Sequence, residues 1–154
     1  MLFLLFQIRS EHYCMDVSRV IEVVPMVRFN LLPHAPPYVA GLFNYRGTIV
    51  PVIDLSALLY EEPCRPLLST RILLVDYTGA DKKHHILGLL VERATETVSC
   101  KAEDFTPPGI EVEGARFLGD AMYRSDGMVQ RVEVERILPE NVQAYLFAAG
   151  REEE

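Results

Sequence analysis

The chain has 154 residues, 49% of them hydrophobic and 24% charged, which is enough apolar sequence for the core of one ordinary domain. Its formal charge of −7 argues against binding to nucleic acid or to an anionic membrane surface. No apolar stretch reaches the roughly 18 residues that membrane insertion of a helix requires. The three cysteines are widely spaced, which favours reduced, buried thiols over a disulfide scaffold.

The first half of the chain reads as short strands. Residues 1–6 lack the basic region and cleavage site of a signal peptide and favour a buried strand. The proline-rich stretch 33–37 excludes a central strand or a helix interior, residues 44–47 predict a tight turn, and Asp54 is expected to cap a short helix. Alternating and β-branched runs predict strands at 3–8, 12–16, 20–24, 38–43 and 48–53.

The second half continues the pattern and ends in a helix. A looser stretch is expected around 107–109, and a turn at 124–127. Residues 139–149 predict a terminal helix that ends at Gly150, with 151–154 as a frayed tail. The predicted strands are 71–77, 85–91, 95–100, 115–123 and 128–134.

A faint internal repeat indicates two similar halves. Residues 17–24 align with 91–98, which places Glu22 on Glu96. Further along, residues 52–59 align with 131–138, which places Asp54 on Glu133. The two segments recur in the same order at nearly the same offset, so each half is expected to form a small barrel of about five strands.

The signatures of catalysis and of cofactor binding are missing from the sequence. There is no Gly-x-Ser-x-Gly elbow, no Walker loop and no glycine-rich dinucleotide turn. His84 and His85 are adjacent, and neighbouring side chains of a strand point to opposite faces, so they form a poor pair of metal ligands. Asp54 and Glu133 are expected to cap the turns that follow them rather than to act as acid and base. We therefore predict no enzymatic activity, no cofactor and no metal site.

An ordered motif set spans Tyr13 to Leu55. Its middle is Pro33-x-Ala35-Pro36-x-Tyr38-Val39-x-Gly41-Leu42-Phe43-Asn44-Tyr45-Arg46-Gly47, followed by Pro51-Val52-Ile53-Asp54-Leu55. This set resembles the signature of the CheW-like coupling-domain family of bacterial chemotaxis, and residues 88–92 and 126–138 resemble its second half more loosely. The resemblance extends over nearly the whole chain, to about Leu138.

The resemblance implies an all-β fold of two SH3-like five-stranded barrels that share a hydrophobic seam, with short helices and a C-terminal helix. It implies one CheW-like domain over 1–154, with barrel one mainly at about 14–65 and barrel two mainly at about 70–138, the N-terminal strand being open to exchange between them. It also implies a non-enzymatic, cytoplasmic coupling adaptor at membrane-bound receptor arrays. Its expected partners are the cytoplasmic tip of a methyl-accepting chemoreceptor and the regulatory domain of a CheA-type histidine kinase.

The resemblance also carries over four residues as receptor or kinase contacts. Glu22 and Arg46 match a family pair near the receptor-binding surface and are expected to meet across adjacent strands; the alternative is a structural clamp on the turn. Val20 and Gly41 match positions that line the same region, although Val20 could equally be core and Gly41 could avoid a clash of a Cβ atom. Asn44 and Gly47 are expected to shape the turn.

The chain departs from the family pattern at two places. Tyr45 replaces an aliphatic residue between Asn44 and Arg46, and the last strand carries the polar residues Gln130, Arg131 and Glu133. The Phe-Asn-Tyr-Arg-Gly form and the compact second half are similar to couplers of the surface-sensing Wsp-type branch. Two alternatives stay open at this point: a stand-alone kinase regulatory domain and a small β-barrel ligand-binding protein.

Overall fold

The computed structural model describes residues 1–107, 117–125 and 127–152, without the side chains of 95 and 148–152. As predicted, the described residues form an all-β fold with a short α-helix, short 3-10 helices and a C-terminal α-helix. Among the described residues, neither α-helix is long and apolar enough to cross a membrane. The elements are β1 (Leu2–Ile8), β2 (Glu11–Asp16), β3 (Val20–Pro25), β4 (Val39–Tyr45), β5 (Thr48–Asp54), α1 (Leu55–Tyr60), β6 (Thr70–Thr78), β7 (His84–Ser99), β8 (Leu118–Arg124), β9 (Gly127–Val132) and α2 (Glu140–Glu152).

The strand ladders form two groups that meet at β7. In one group β6 pairs with β3 and with the first half of β7, and the β4–β5 hairpin joins that half of β7 through a parallel ladder. In the other group β1 pairs with β2 and with the second half of β7, and the β8–β9 hairpin joins β2 through a parallel ladder. Two small barrels of five strands result. The predicted extents of the two barrels, about 14–65 and about 70–138, stay a prediction. In the structure β6, which begins at Thr70, pairs with β3.

The internal repeat is visible in the hydrogen bonds. In the parallel ladders Val52 lies opposite Gly88, and Arg131 lies opposite Cys14. Residues 52 and 131 are related by one offset of the repeat, 79, and residues 14 and 88 by the other, 74. The backbone N–H of Asp54 donates to the carbonyl of Tyr38 at 2.7 Å, and 79 residues later the N–H of Glu133 donates to that of Phe117, also at 2.7 Å. The two halves therefore share a topology.

A central hydrophobic cluster joins the two groups of strands and α2. It includes Phe6 of β1, Tyr77 of β6, Leu89 of β7, Val132 of β9 and Leu146 of α2, all buried. Burial of a side chain of this size contributes about 1.5–3 kcal/mol. Two smaller clusters fill the barrels: one contains Phe43, Val50, Val52, Ile72 and Leu74, and the other Phe3, Cys14, Cys100, Phe105, Met122 and Val129.

Three sequence-based boundaries were wrong. The strands predicted at 85–91 and 95–100 form the single strand β7, which bends at Arg93, where φ is 44°. The last strand ends at Val132, because Val134–Arg136 turns into a 3-10 helix. Helix α2 continues past Gly150 to Glu152. Several predicted features include residues outside those described: the stretch at 107–109, the start of the strand at 115–123, the turn at 124–127 and the tail at 151–154.

The two predicted caps differ. Asp54 caps α1 as expected: its Oδ1 accepts from the N–H of Ala57 at 3.1 Å, and its Oδ2 accepts from the N–H of Cys64 at 2.8 Å. Glu133 precedes the 3-10 turn without a capping hydrogen bond from its side chain. Its carboxylate pairs with Arg136 instead, at 3.1 Å. Aspartate is short enough to accept a hydrogen bond from the first turn of a helix, whereas the longer glutamate side chain reaches an arginine three residues further along.

Candidate functional site

Glu22 of β3 and Arg46 of the turn after β4 lie close to each other. Nη2 of Arg46 lies 3.6 Å from Oε2 of Glu22, and the Arg46 side chain is 75% exposed. The two strands are not hydrogen-bonded neighbours, in contrast to the expectation: among the described ladders, β3 pairs with β6 and β4 with β5. The residues meet because Arg46 lies in the turn after β4. An exposed single contact of this kind contributes about 0–1 kcal/mol.

Tyr45 is the partner that the sequence analysis missed. Its hydroxyl donates a hydrogen bond to Oε2 of Glu22, the same oxygen that Arg46 approaches. That bond raises the pKa of the Tyr45 hydroxyl, because loss of the proton would place two negative charges together. The guanidinium of Arg46 lies 5.1 Å from the centre of the Tyr45 ring. The sequence offered one sign of this role: by the alternation of β4, Tyr45 lies on the same face as Phe43 and so was placed to pack inward with it.

The turn that carries Arg46 is a two-residue hairpin connection. Arg46 and Gly47 both have positive φ, 51° and 88°, as a type I′ turn requires. The side chain of Asn44 accepts from the N–H of Gly47 at 2.8 Å. A Cβ atom at Gly47 would meet no atom within 4 Å, so the backbone angle rather than space favours glycine there. This geometry directs Arg46 away from the barrel.

The other two predicted contact residues, Gly41 and Val20, lie on β4 and β3. A Cβ atom on Gly41 would come within 2.6 Å of the Asn30 carbonyl oxygen and 2.7 Å of Cβ of Phe29, and φ of Gly41 is +148°. The glycine therefore allows the segment at 29–30 to lie against β4, where Asn30 and Leu42 exchange two backbone hydrogen bonds of 2.8 Å. Val20 is half-buried and packs against the central cluster. Of the four residues, only Glu22 and Arg46 contact each other directly in the described interactions.

An apolar groove adjoins the Glu22–Tyr45–Arg46 cluster. It has a volume of about 370 Å³ and is lined by residues of β3, β4 and the segment between them, including Val24, Val27, Arg28, Phe43 and Tyr45. The alternate, more exposed positions of β3 are also apolar, with Ile21 47% exposed and Val23 37% exposed. Exposed apolar surface next to a charged rim is typical of protein-binding sites.

Arg131, one of the polar residues of the last strand, lies against two aromatic rings of the core. The guanidinium carbon of Arg131 lies 5.3 Å from the ring centre of Phe3 and 5.9 Å from that of Phe105. Arg131 therefore covers the aromatic core of the second group of strands. The adjacent histidines have different partners, because the His84 ring contacts Asp76 and the His85 ring contacts Asp81.

The three cysteines are buried and unpaired by disulfides. Burial raises the pKa of Cys14 to about 12 and that of Cys64 to about 12, because the thiolate would lose its hydration. A reactive cysteine needs the opposite shift of its pKa. Cys14 and Cys64 therefore lack the lowered pKa of a reactive thiol. The candidate site itself combines the exposed Arg46 guanidinium, the Glu22 carboxylate and an apolar groove.

Comparison with known proteins gives one family. The model of the CheW-like domain matches residues 2–142. Chemotaxis protein CheW of Rhizobium meliloti (strain 1021) is 27% identical over 136 residues, which are 87% of this chain and 84% of that protein. The CheW protein of Helicobacter pylori (strain ATCC 700392 / 26695) is 28% identical over 137 residues, with 88% and 80% covered. The crystal structure of the scaffolding protein TtCheW from Thermoanaerobacter tengcongensis superposes with a TM-score of 0.80 and 25% identity, over 92% of this chain and 89% of that one.

Proposed function

The chain belongs to the CheW-like domain family and is a chemotaxis coupling adaptor, and we propose that it joins the cytoplasmic tip of a chemoreceptor to a CheA-type histidine kinase without catalysis. The observation that carries the proposal is the exposed Arg46 guanidinium over the ring of Tyr45, a residue that lines an apolar groove. A stand-alone kinase regulatory domain and a small ligand-binding barrel are not favoured, since the relatives above are CheW proteins.

In this proposal Arg46 contacts the receptor, Glu22 acts on the receptor-binding surface through its contact with Arg46, and Val20 and Gly41 support the two strands that carry them. The charges are suited to recognition because Arg46 is largely exposed and the groove beside it is apolar. The close fit of Gly41 against Asn30 keeps β4 in place under the turn. The apolar outer face of β3, with Ile21 and Val23, offers further contact area for a receptor or a kinase domain.

The proposal extends to location and branch. A coupling adaptor would act in the cytoplasm at membrane-bound receptor arrays, where both partners lie. The Phe43-Asn44-Tyr45-Arg46-Gly47 form supports assignment to the surface-sensing Wsp-type branch. Purified protein should then bind receptor and kinase fragments of a surface-sensing cluster more tightly than those of a flagellar cluster from the same organism. Equal affinity for both sets would contradict the branch assignment.

The central test is binding of the purified protein to two purified fragments from its own organism. These are the cytoplasmic portion of a chemoreceptor and the regulatory domain of a CheA-type kinase, titrated by isothermal calorimetry. We expect both to bind, and binding of neither would overturn the proposal. Arg46→Glu should weaken receptor binding, and Glu22→Arg on top of it should partly restore binding if the pair acts as a local clamp. Lys101→Glu is the control, because that side chain is 81% exposed in the other half of the chain.

A further inference from the structure

We infer that Tyr45 is a specificity-determining residue of the receptor-binding surface. Its hydroxyl donates a hydrogen bond to Glu22, and its ring supports Arg46 in an outward position. From that position the Arg46 guanidinium binds a carboxylate of the partner. The inference rests on the proposed function. Tyr45 is one of the residues by which this chain departs from the family pattern.

The carboxylate of Glu22 is already hydrogen-bonded to Tyr45. Its Oε2 accepts a hydrogen bond from the Tyr45 hydroxyl. The Arg46 nitrogen lies 3.6 Å from the same oxygen, beyond the roughly 2.7–3.2 Å of an N–H···O hydrogen bond. A guanidinium and a carboxylate that face each other alone prefer two parallel hydrogen bonds. Tyr45 therefore competes successfully for Glu22 and leaves Arg46 with an electrostatic contact only.

The Arg46 side chain lies over the Tyr45 ring and is largely exposed. Its guanidinium lies 5.1 Å from the Tyr45 ring centre, within the range of a cation–π contact. The ring is itself held edge-on by Phe43, with 6.5 Å between centres. The guanidinium makes no hydrogen bond to another residue in the described part of the chain. Three-quarters of the Arg46 side chain is exposed, so its donors are available to a bidentate acceptor.

The surroundings of Tyr45 and Arg46 indicate the chemistry of the partner. The groove beside Tyr45 is apolar, and Arg28 lines it as a second cation. A matching receptor segment would carry an Asp or Glu next to an apolar side chain, so that the carboxylate meets Arg46 while the apolar group enters the groove. An aliphatic residue at position 45 would offer no hydroxyl to Glu22, and Arg46 would then turn to that carboxylate. The choice of residue 45 thus decides whether the arginine faces inward or outward.

The experiment measures the Kd of a purified chemoreceptor cytoplasmic fragment from the same organism. Tyr45→Phe keeps the ring and removes the hydroxyl, so Arg46 should pair with Glu22 and the Kd should rise roughly fivefold to tenfold. Glu22→Gln added to Tyr45→Phe removes the competing charge and should return the Kd to within about twofold of wild type. Tyr123→Phe is the control, because Tyr123 is 71% exposed on β8, in the other group of strands. The Kd for the kinase regulatory domain should not change in any of these variants.

The outcomes separate the two ideas. If the wild-type protein does not bind the receptor fragment, the proposed function fails and this inference fails with it. If the wild type binds and Tyr45→Phe binds equally well, only the role of Tyr45 is overturned. A weakened Tyr45→Phe that Glu22→Gln does not rescue would show that the hydroxyl contacts the partner itself, which also overturns the presentation of Arg46. Thermal unfolding of each variant confirms that it is folded before its Kd is interpreted.

Discussion

The carboxylate of Glu92 is held by two nitrogens of Arg65, with Nε at 3.0 Å and Nη2 at 2.7 Å. Glu92 is 2% exposed and lies at the middle of β7, opposite Thr70 of β6 on one side and Gln7 of β1 on the other. Arg65 lies in the loop after α1. This ion pair therefore ties that loop to the point where the shared strand leaves one group of ladders for the other.

Glu92→Gln should lower the free energy of unfolding by about 1–3 kcal/mol near pH 7, because the buried end of a two-pronged ion pair is lost. Arg65 lowers the pKa of Glu92 below its ordinary value, so the stabilisation is present above that ordinary value and disappears as the pH falls through the lowered one. Urea unfolding of the wild type and of Glu92→Gln, near pH 7 and below pH 4, should show a difference in the free energy of unfolding that is smaller in acid.

The control for Glu92 is Glu62→Gln. Glu62 also faces an arginine, Arg9, at 3.1 Å, but its side chain is 65% exposed. Its loss should change the free energy of unfolding by no more than about 0.5 kcal/mol. Equal effects of the two substitutions would contradict the structural importance of the Glu92–Arg65 pair.

Asp54→Ala should destabilise the protein by about 1–3 kcal/mol, because the buried N–H of Cys64 and the first turn of α1 both lose their acceptor. The repeat supplies the matched variant, Glu133→Ala: among the described residues, the Glu133 side chain makes no capping hydrogen bond and pairs with Arg136. Its effect should stay below about 1 kcal/mol. Guanidinium unfolding curves of the two variants measure the difference, and a larger loss in Glu133→Ala would reverse our account of the caps.

Gly41→Ala should be severely destabilising, by more than about 2 kcal/mol, since the new Cβ atom would lie 2.6 Å from a backbone oxygen. Gly47→Ala introduces strain of φ but meets no neighbour, so we expect a loss of only about 1 kcal/mol. Thermal unfolding distinguishes the two. A Gly41→Ala protein as stable as the wild type that nevertheless fails to bind the receptor fragment would identify Gly41 as a contact residue instead.

The native thiols should be nearly inert towards Ellman's reagent near pH 8. Burial raises the pKa of Cys14 and of Cys64 to about 12, so their thiolate fractions at that pH are very small. In denaturant all three cysteines should react, at least on the order of a hundredfold faster, as their pKa values return to about 8.5. Rapid reaction of one thiol in the native protein would show an opening of its cluster that the structure does not contain.

Much of this protein could be predicted from local patterns in the sequence. Alternation of apolar residues located every strand of the first half to within two residues, and an aspartate before an apolar helical pattern located the cap of α1. Positive φ at Arg46 and Gly47 follows from a short hairpin turn of this composition. These features were predictable because they depend on neighbours within a few residues along the chain.

The remaining features depend on which distant segments pair. No pattern in β7 shows that two apparent strands are one, because the bend at Arg93 is compatible with a loop until β1 and β6 are placed on either side. The bond from Tyr45 to Glu22 and the two-pronged contact of Arg65 with Glu92 join residues more than 20 positions apart. The sequence by itself determined the strands of the first half, the turn after β4, the cap of α1 and the resemblance to one family. Only the tertiary structure decided which charges meet, because side chains distant in the chain come into contact only once the ladders set their register.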